Sequence, residues 1–293
     1  EVLAAAIRDT ADCAIGYEAV VLVEKSLKYF KNDLEMHIRQ GHCMYGMEHA
    51  IPCAVVCPAH VDVPGYIALT GAGRYEDAVR LIRQDNPFPG VCGYVCEHPC
   101  EEHCRREMVD SAVNICGLKR YAVDHAKDCR LPACAASTGK KVAVVGGGPG
   151  GLTNAYFLTL MGHEVTVYEQ RDKLGGMLRY GIPDYRLPQP VLDADIQYIL
   201  DTGVKTVMHT SIGEDISLDE LKEKYDAVYI SIGAHDDKKL GIEGETGQGV
   251  VSAVKMLRDV GEGHPMNMAG KRVCVIGGGN VAMDAARTAV RVG

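Results

Sequence analysis

Lys141-Val142-Ala143-Val144-Val145-Gly146-Gly147-Gly148-Pro149-Gly150-Gly151-Leu152 is the stretch that decides the fold. Val142 to Val145 reads as a short buried parallel strand, and Gly146-x-Gly148-x-x-Gly151 follows at once. The first glycine allows the tight turn, and the second lets backbone approach a pyrophosphate. The third lets the next helix pack closely on the strand, with the phosphates at the helix N-terminus. The motif alone is weak in a chain with 33 glycines. Its context strengthens it. Val165 to Tyr168 reads as the neighbouring strand, and Glu169 stands at its end, eighteen residues past Gly151, placed to accept a hydrogen bond from a ribose hydroxyl.

The same unit recurs as Arg272-Val273-Cys274-Val275-Ile276-Gly277-Gly278-Gly279-Asn280-Val281-Ala282. Arg272 to Ile276 is expected to be a buried strand, with Cys274 a small buried hydrophobe inside it. The residue that separates NAD from NADP belongs on the following strand, beyond Gly293, so the nucleotide is left as NAD or NADP. Between the two units, Ser217 and Glu220 form a capping box ahead of a Leu218–Tyr225 helix, and Ala227 to Ile230 reads as another buried strand. This alternation indicates an α/β class: doubly wound parallel sheets in tandem Rossmann-type units.

The 293 residues leave room for about two domains, and 47% hydrophobic with 24% charged residues is ordinary soluble composition. A net charge of −8 speaks against nucleic acid as a partner. No apolar run approaches the roughly 20 residues of a membrane span, and nothing resembles a signal peptide, so a cytoplasmic chain is expected. The sequence opens with Glu1 and stops at Gly293 inside the second motif, which reads as a piece of a longer protein.

Eleven of the 12 cysteines lie between Cys13 and Cys134, and residues 135 to 273 contain none. That uneven usage favours metal ligation over a disulfide scaffold. Cys53-x3-Cys57-Pro58 is followed by Cys92-x3-Cys96-x3-Cys100-x3-Cys104, spacings that keep thiolates near one another on a helical or turn-like path. Proline beside a ligand suits an iron–sulfur cubane, whereas structural zinc normally uses CxxC pairs, which are missing here. Iron–sulfur leads, ahead of zinc and of reduced structural cysteines. His60, His98 and His103 read as surface or packing residues, and none of the 11 histidines falls in a catalytic constellation. A disulfide reductase would need a redox-active cysteine pair within the dinucleotide-binding units, so the gap from 135 to 273 argues against one.

The stretch Gly175-Gly176-Met177-Leu178-Arg179-Tyr180-Gly181-Ile182-Pro183-Asp184-Tyr185-Arg186-Leu187-Pro188 resembles the signature of the glutamate synthase small-subunit family. That family includes the flavin half of dihydropyrimidine dehydrogenase and the ferredoxin-linked transhydrogenase large subunit. The Pro52–Ile67 and Asn86–Cys104 stretches resemble its all-α iron–sulfur domain. The resemblance implies FAD at Gly146, Gly148, Gly151, Glu169, Gly176 and Arg186, beside the Ser231-Ile232-Gly233-Ala234 turn. It implies NAD(P)H at Gly277, Gly279, Asn280 and Ala282. It also implies two 4Fe-4S clusters, one on Cys57, Cys96 and Cys100, the other on Cys53 and Cys104. Many members have a CxxC pair just upstream of Cys53, where this chain has only Cys43, so either Cys43 or Cys92 completes that set or the cluster is altered or absent. Cys116, one turn before Lys119, is a candidate for the other, while Cys129 and Cys134 read as bystanders.

Val20, Val23, Leu27, Phe30, Leu34 and Ile38 recur at helical spacing and predict one amphipathic helix from Glu18 to Gln40. With Cys13, this segment resembles the tail of complex I's NADH-oxidising flavin subunit, in which a cysteine at this place completes a 4Fe-4S cluster. The expected divisions are 1–42, this tail; 43–134, the iron–sulfur domain; 135–234, the FAD domain; and 235–293, the start of an NAD(P) insert. The functional expectation is an FAD-dependent NAD(P)H oxidoreductase in a hetero-oligomer with ferredoxin or other redox subunits, a bifurcating complex being one form of it. The alternatives are a glutamate synthase small subunit and a non-catalytic wiring subunit.

Overall fold

The computed structural model describes residues 2–11, 14–40 and 51–293, so Cys13 and Cys43 lie outside the described residues. Helices α1 (Val2–Thr10) and α2 (Ala14–Tyr29) pack together, with Arg8 donating to both carboxylate oxygens of Glu24 at 3.1 and 3.0 Å. The expected single helix is divided: a bend at Phe30 separates α2 from α3 (Lys31–Gln40). Of its apolar stripe only Val20 is buried, while Val23, Phe30, Leu34 and Ile38 are exposed. Amphipathic spacing becomes burial only where a partner covers the face, and none of the described residues covers this one.

The cysteine-bearing region is a set of short helices: α4 (Pro52–Val55), α5 (Val63–Gly71), α6 (Tyr75–Ile82), α7 (Pro89–Val95), α8 (Pro99–Glu102) and α9 (Ile115–His125). Proline occupies the first turn of α4, α5, α7 and α8, where its missing N–H costs no helical hydrogen bond. Asp62 caps α5 by accepting from Gly65 N, and Asn114 caps α9 by accepting from Gly117 N. Val61, Val63, Tyr66, Ala78, Val79, Ile82, Ile115 and Ala122 form the core beneath them.

From Lys141 the chain builds a parallel sheet. Strands β1 (Lys141–Val145), β2 (Glu164–Tyr168), β3 (Lys205–Val207) and β4 (Ala227–Ile230) lie in the order β3-β2-β1-β4. Helices α10 (Pro149–Leu160), α11 (Met177–Tyr180), α12 (Gln189–Asp201) and α13 (Leu218–Lys224) connect them. Val144, Val165 and Val167 pack with Leu152, Leu192 and Ile199 on one side of the sheet; Ala143, Val145 and Tyr168 pack with Leu221 on the other. Both faces are therefore covered, as a doubly wound sheet requires.

Two strand expectations need correction. β4 forms, but it pairs with β1 alone, and Tyr229 and Ile230 are exposed rather than buried. Arg272 to Ile276 makes no sheet ladder, and Cys274 is exposed. A parallel strand is stabilised by neighbours, and none of the described residues lies in ladder register with 272–276. The helices α14 (Ala253–Gly261) and α15 (Asn280–Arg291) around it do form and pack against each other.

Candidate functional site

The first glycine turn leaves no room for a side chain at Gly146 or Gly151. Gly146 has φ +106°, and a Cβ there would lie 2.3 Å from the Ser231 carbonyl oxygen. At Gly151 a Cβ would lie 1.9 Å from the Gly146 oxygen. Gly148 caps α10, and no side chain caps the helix start by a hydrogen bond. Only the Gly176 Cα lies within 4 Å of the place a Gly148 Cβ would take. The Gly175-Gly176 turn thus lies over the motif, tied by Gly175 N–H to the Gly147 carbonyl at 2.8 Å. Buried Ser231 Oγ, beside this turn, has no hydrogen-bond partner. A helix start without a side-chain cap, glycine backbone on two sides and an orphaned hydroxyl fit the pyrophosphate end of FAD.

Glu169 is buried at 7% exposure, and its carboxylate accepts Gly147 N–H at 2.8 Å and Arg171 N–H at 2.9 Å. It therefore shapes the glycine turn as well as standing at the end of β2, and each oxygen keeps lone-pair capacity for a hydroxyl. Arg186 is placed elsewhere: its Nη1 donates to Asp284 Oδ2 of α15 at 2.6 Å, joining the flavin unit to the second glycine helix. A cleft of about 590 Å³ opens beside that junction, lined in part by Arg171, Tyr180, Tyr185, Glu262 and Arg291. Arg171 reaches Glu262 across it at 2.7 Å.

The second glycine turn is also open. Gly277 has φ +130°, and nothing lies within 4 Å of a Cβ placed at Gly278 or Gly279. Gly279 caps α15 with no side-chain capping hydrogen bond, and Ala282 is buried in the first turn. Asn280 turns toward the cysteine region, donating to Glu97 at 2.9 Å.

Cys53 lies in α4, Cys92 in α7 and Cys100 in α8, with Cys96 ending α7 and Cys104 preceding the 3-10 turn Arg105–Met108. The described cysteines are free thiols. Burial pushes Cys100 up to about 11; the ammonium of Lys119 opposes this, while Cys96 and Cys57 add to it. Burial also raises Cys53, with Cys104 contributing, and raises Cys116, with Cys96 contributing. These influences form two neighbourhoods, one joining Cys57, Cys92, Cys96, Cys100 and Cys116, the other joining Cys53 and Cys104. Among the described residues, no three metal-ligating side chains already converge on a metal-sized point. Metal binding replaces the thiol proton, and thiols clustered by type at short spacing are the soft donor set that an iron–sulfur cluster uses. Cys92 accepts from Asn86 Nδ2 at 3.2 Å, and Cys116 donates to the Cys92 carbonyl at 3.4 Å. His98 and His103 spend their Nδ1 atoms on the carbonyls of Cys96 and Pro99.

Among the buried charges that no motif marks, two bear on the site. Asp195, 2% exposed on α12, accepts Val91 N–H at 2.9 Å and Arg83 Nη2 at 3.4 Å, gripping α7 from the flavin unit. Gly90 admits it, because a Cβ there would lie 2.9 Å from Asp195 Oδ2. Lys119, 7% exposed, lies among the thiols. Helical spacing carried both signals: 195 falls with Leu192, Ile196 and Ile199, and 119 with Ile115 and Ala122.

Residues 27–131 match the family model described as dihydropyrimidine dehydrogenase domain II, 4Fe-4S cluster, and residues 140–293 match that of pyridine nucleotide-disulphide oxidoreductases. The chain is 41% identical over 297 aligned residues to the NADPH-Fe(3+) oxidoreductase subunit beta of Geobacter sulfurreducens, covering 96% of this chain and 44% of that one. It is 42% identical over 268 residues to the NADP(+)-dependent formate dehydrogenase subunit beta of Moorella thermoacetica, covering 83% and 38%. It is 36% identical over 256 residues to the NADPH glutamate synthase small chain of Escherichia coli, covering 82% and 54%. It thus spans about half or less of each relative. With glycine turns, covered sheet and thiol-bearing helices in agreement, the chain belongs to the pyridine nucleotide-disulphide oxidoreductase family and carries a dihydropyrimidine dehydrogenase-type 4Fe-4S domain ahead of it.

Proposed function

We propose that this chain is the NADPH-oxidising, electron-distributing portion of a multi-subunit oxidoreductase, passing electrons from NADPH through FAD to 4Fe-4S clusters, or in reverse. The observation that carries the reading is the pair of glycine-capped helix starts, at Gly148 and Gly279, neither with a side-chain cap, in one chain with the thiol neighbourhoods. Bound flavin would supply the change from two-electron hydride chemistry to the one-electron steps that a cubane accepts.

The chain's own residues bind and orient. Gly146, Gly148, Gly151 and Gly176 would offer backbone to FAD, with Glu169 holding the turn in shape. Gly277, Gly279, Asn280 and Ala282 would hold the nicotinamide nucleotide. Arg186 acts through Asp284 to fix the two units against each other. Cys57, Cys96 and Cys100, with Cys116 as the nearest further thiol, would hold one cluster; Cys53 and Cys104, completed by Cys43 or Cys92, would hold the other. No side chain is assigned as a general acid or base.

NADP is chosen over NAD because three relatives carry NADP(H) in their names. A ferredoxin-linked or formate-dehydrogenase-like assembly is preferred to a glutamate synthase. The Geobacter relative aligns with 96% of this chain, against 82% for the glutamate synthase small chain. A cytoplasmic site is part of the proposal, in keeping with the finding that no described helix is long and apolar enough to cross a membrane. The test is anaerobic titration of the purified full-length protein with NADPH and with NADH, alongside flavin and iron assays. Bleaching of flavin and cluster absorbance at lower NADPH than NADH is expected. A preparation without flavin or iron would leave only a wiring subunit.

A further inference from the structure

We propose that Lys119 is a charge-compensating residue for the cluster of Cys57, Cys96 and Cys100, raising its reduction potential by a fixed buried ammonium without ligating iron. The inference rests on the iron–sulfur reading above and adds a role for a residue outside the ligand set.

Lys119 is 7% exposed, and no carboxylate pairs with it among the described residues. Lysine is rarely buried without a partner, because an unpaired ammonium in a low-dielectric interior is costly. Its nearest aromatic face is Tyr66, whose ring centroid lies 5.8 Å from Nζ. Tyr66 is fully buried and donates its hydroxyl to the Ile115 carbonyl at 3.2 Å. Tyr66 belongs to the same buried cluster as Cys100, Ile115 and Ala122, the last two from the lysine's own helix, with Cys53 and Cys57 packed against it. Cys116, one turn before Lys119 on that helix, donates to the Cys92 carbonyl at 3.4 Å. Lysine, tyrosine and thiols therefore share one interior.

Two carboxylates stand near these thiols, and each has partners of its own: Glu101 Oε1 accepts the Cys116 N–H at 2.7 Å, and Asp195 is held by Val91 N–H and Arg83. What the ammonium lacks is a negative counter-charge, and a thiolate-ligated cubane supplies one. The helix that carries Lys119 is held firmly. Asn114 caps it, and a Cβ on Gly93 of α7 would lie 3.1 Å from Arg120 Cα. A charge fixed this way stabilises the more negative, reduced cluster over the oxidised one, because net charge near a cluster sets its potential.

The experiment uses the full-length holoprotein with Lys119→Gln and Lys119→Arg, read by iron content and by electron paramagnetic resonance during a redox titration. Lys119→Gln should keep its iron and lower the midpoint of one cluster by roughly the equivalent of a tenfold change in reduced fraction, about 59 mV for a one-electron couple. Lys119→Arg should restore the midpoint, and the Cys53–Cys104 cluster should stay put as an internal reference. Full iron with an unmoved midpoint in Lys119→Gln would overturn the inference and leave the iron–sulfur reading standing. Loss of that cluster's signal in both variants would make Lys119 a ligand or scaffold, and would overturn it too. An iron-free wild type would overturn the parent reading and the inference together.

Discussion

At Gly151 the fold leaves no room for a methyl group, since a Cβ would lie 1.9 Å from the Gly146 oxygen and 2.8 Å from Ser231 Oγ. Gly151→Ala is expected to cost about 1–3 kcal/mol in strain and to lower the flavin-to-protein ratio of purified full-length protein. Asp195 offers a titration readout. Burial lifts its carboxyl to about 6, against the amides and Arg83 that pull it down. The folded chain thus holds this proton more readily than the unfolded chain. The group's stabilising contribution is full when it is protonated and is lost as pH rises through about 6. The unfolding free energy of wild type minus that of Asp195→Asn should therefore grow as pH falls from about 7.5 to 5, by on the order of 2 kcal/mol. A flat difference across that range would refute the assignment. Glycines 146, 148 and 151 were legible in the sequence because a turn and a close approach restrict the residue type. Asp195 and Lys119 were not, because a charge on an apolar stripe gains meaning only from what faces it.

Elements governed by local chemistry were the easiest to anticipate. The Ser217–Glu220 box is present, with Glu220 N donating to Ser217 Oγ at 3.2 Å and Ser217 N to Glu220 Oε2 at 2.7 Å. Ser217→Ala should cost about 1 kcal/mol, read as a lower urea midpoint with flavin content unchanged, since α13 lies on the sheet face away from Leu152 and α12. Elements needing a distant partner behaved otherwise. The apolar stripe of 18–40 is mostly uncovered, and 272–276 makes no ladder. Apolar periodicity states what a segment is able to bury; the neighbouring element decides whether it does.

Across the whole molecule, the expected divide between iron–sulfur and flavin domains is crossed by packing. Phe88 and Val91, from the cysteine region, belong to the same buried cluster as Val144, Leu152 and Leu192 of the flavin unit. Phe88→Ala is expected to cost about 3–5 kcal/mol, with limited proteolysis of residues 127–140 accelerating relative to wild type. Unchanged cleavage would mean that the two regions stand independently. The sequence by itself determined the sheet-building alternation, the two glycine turns and the grouping of cysteines ahead of them, because strand, turn and ligand chemistry each demand particular residues at short spacings. Only the tertiary structure decided that Arg186 joins Asp284, that Asp195 grips α7 and that Lys119 lies among the thiols. These are meetings of residues far apart in the chain, and burial gives each buried charge an energy that no local pattern encodes.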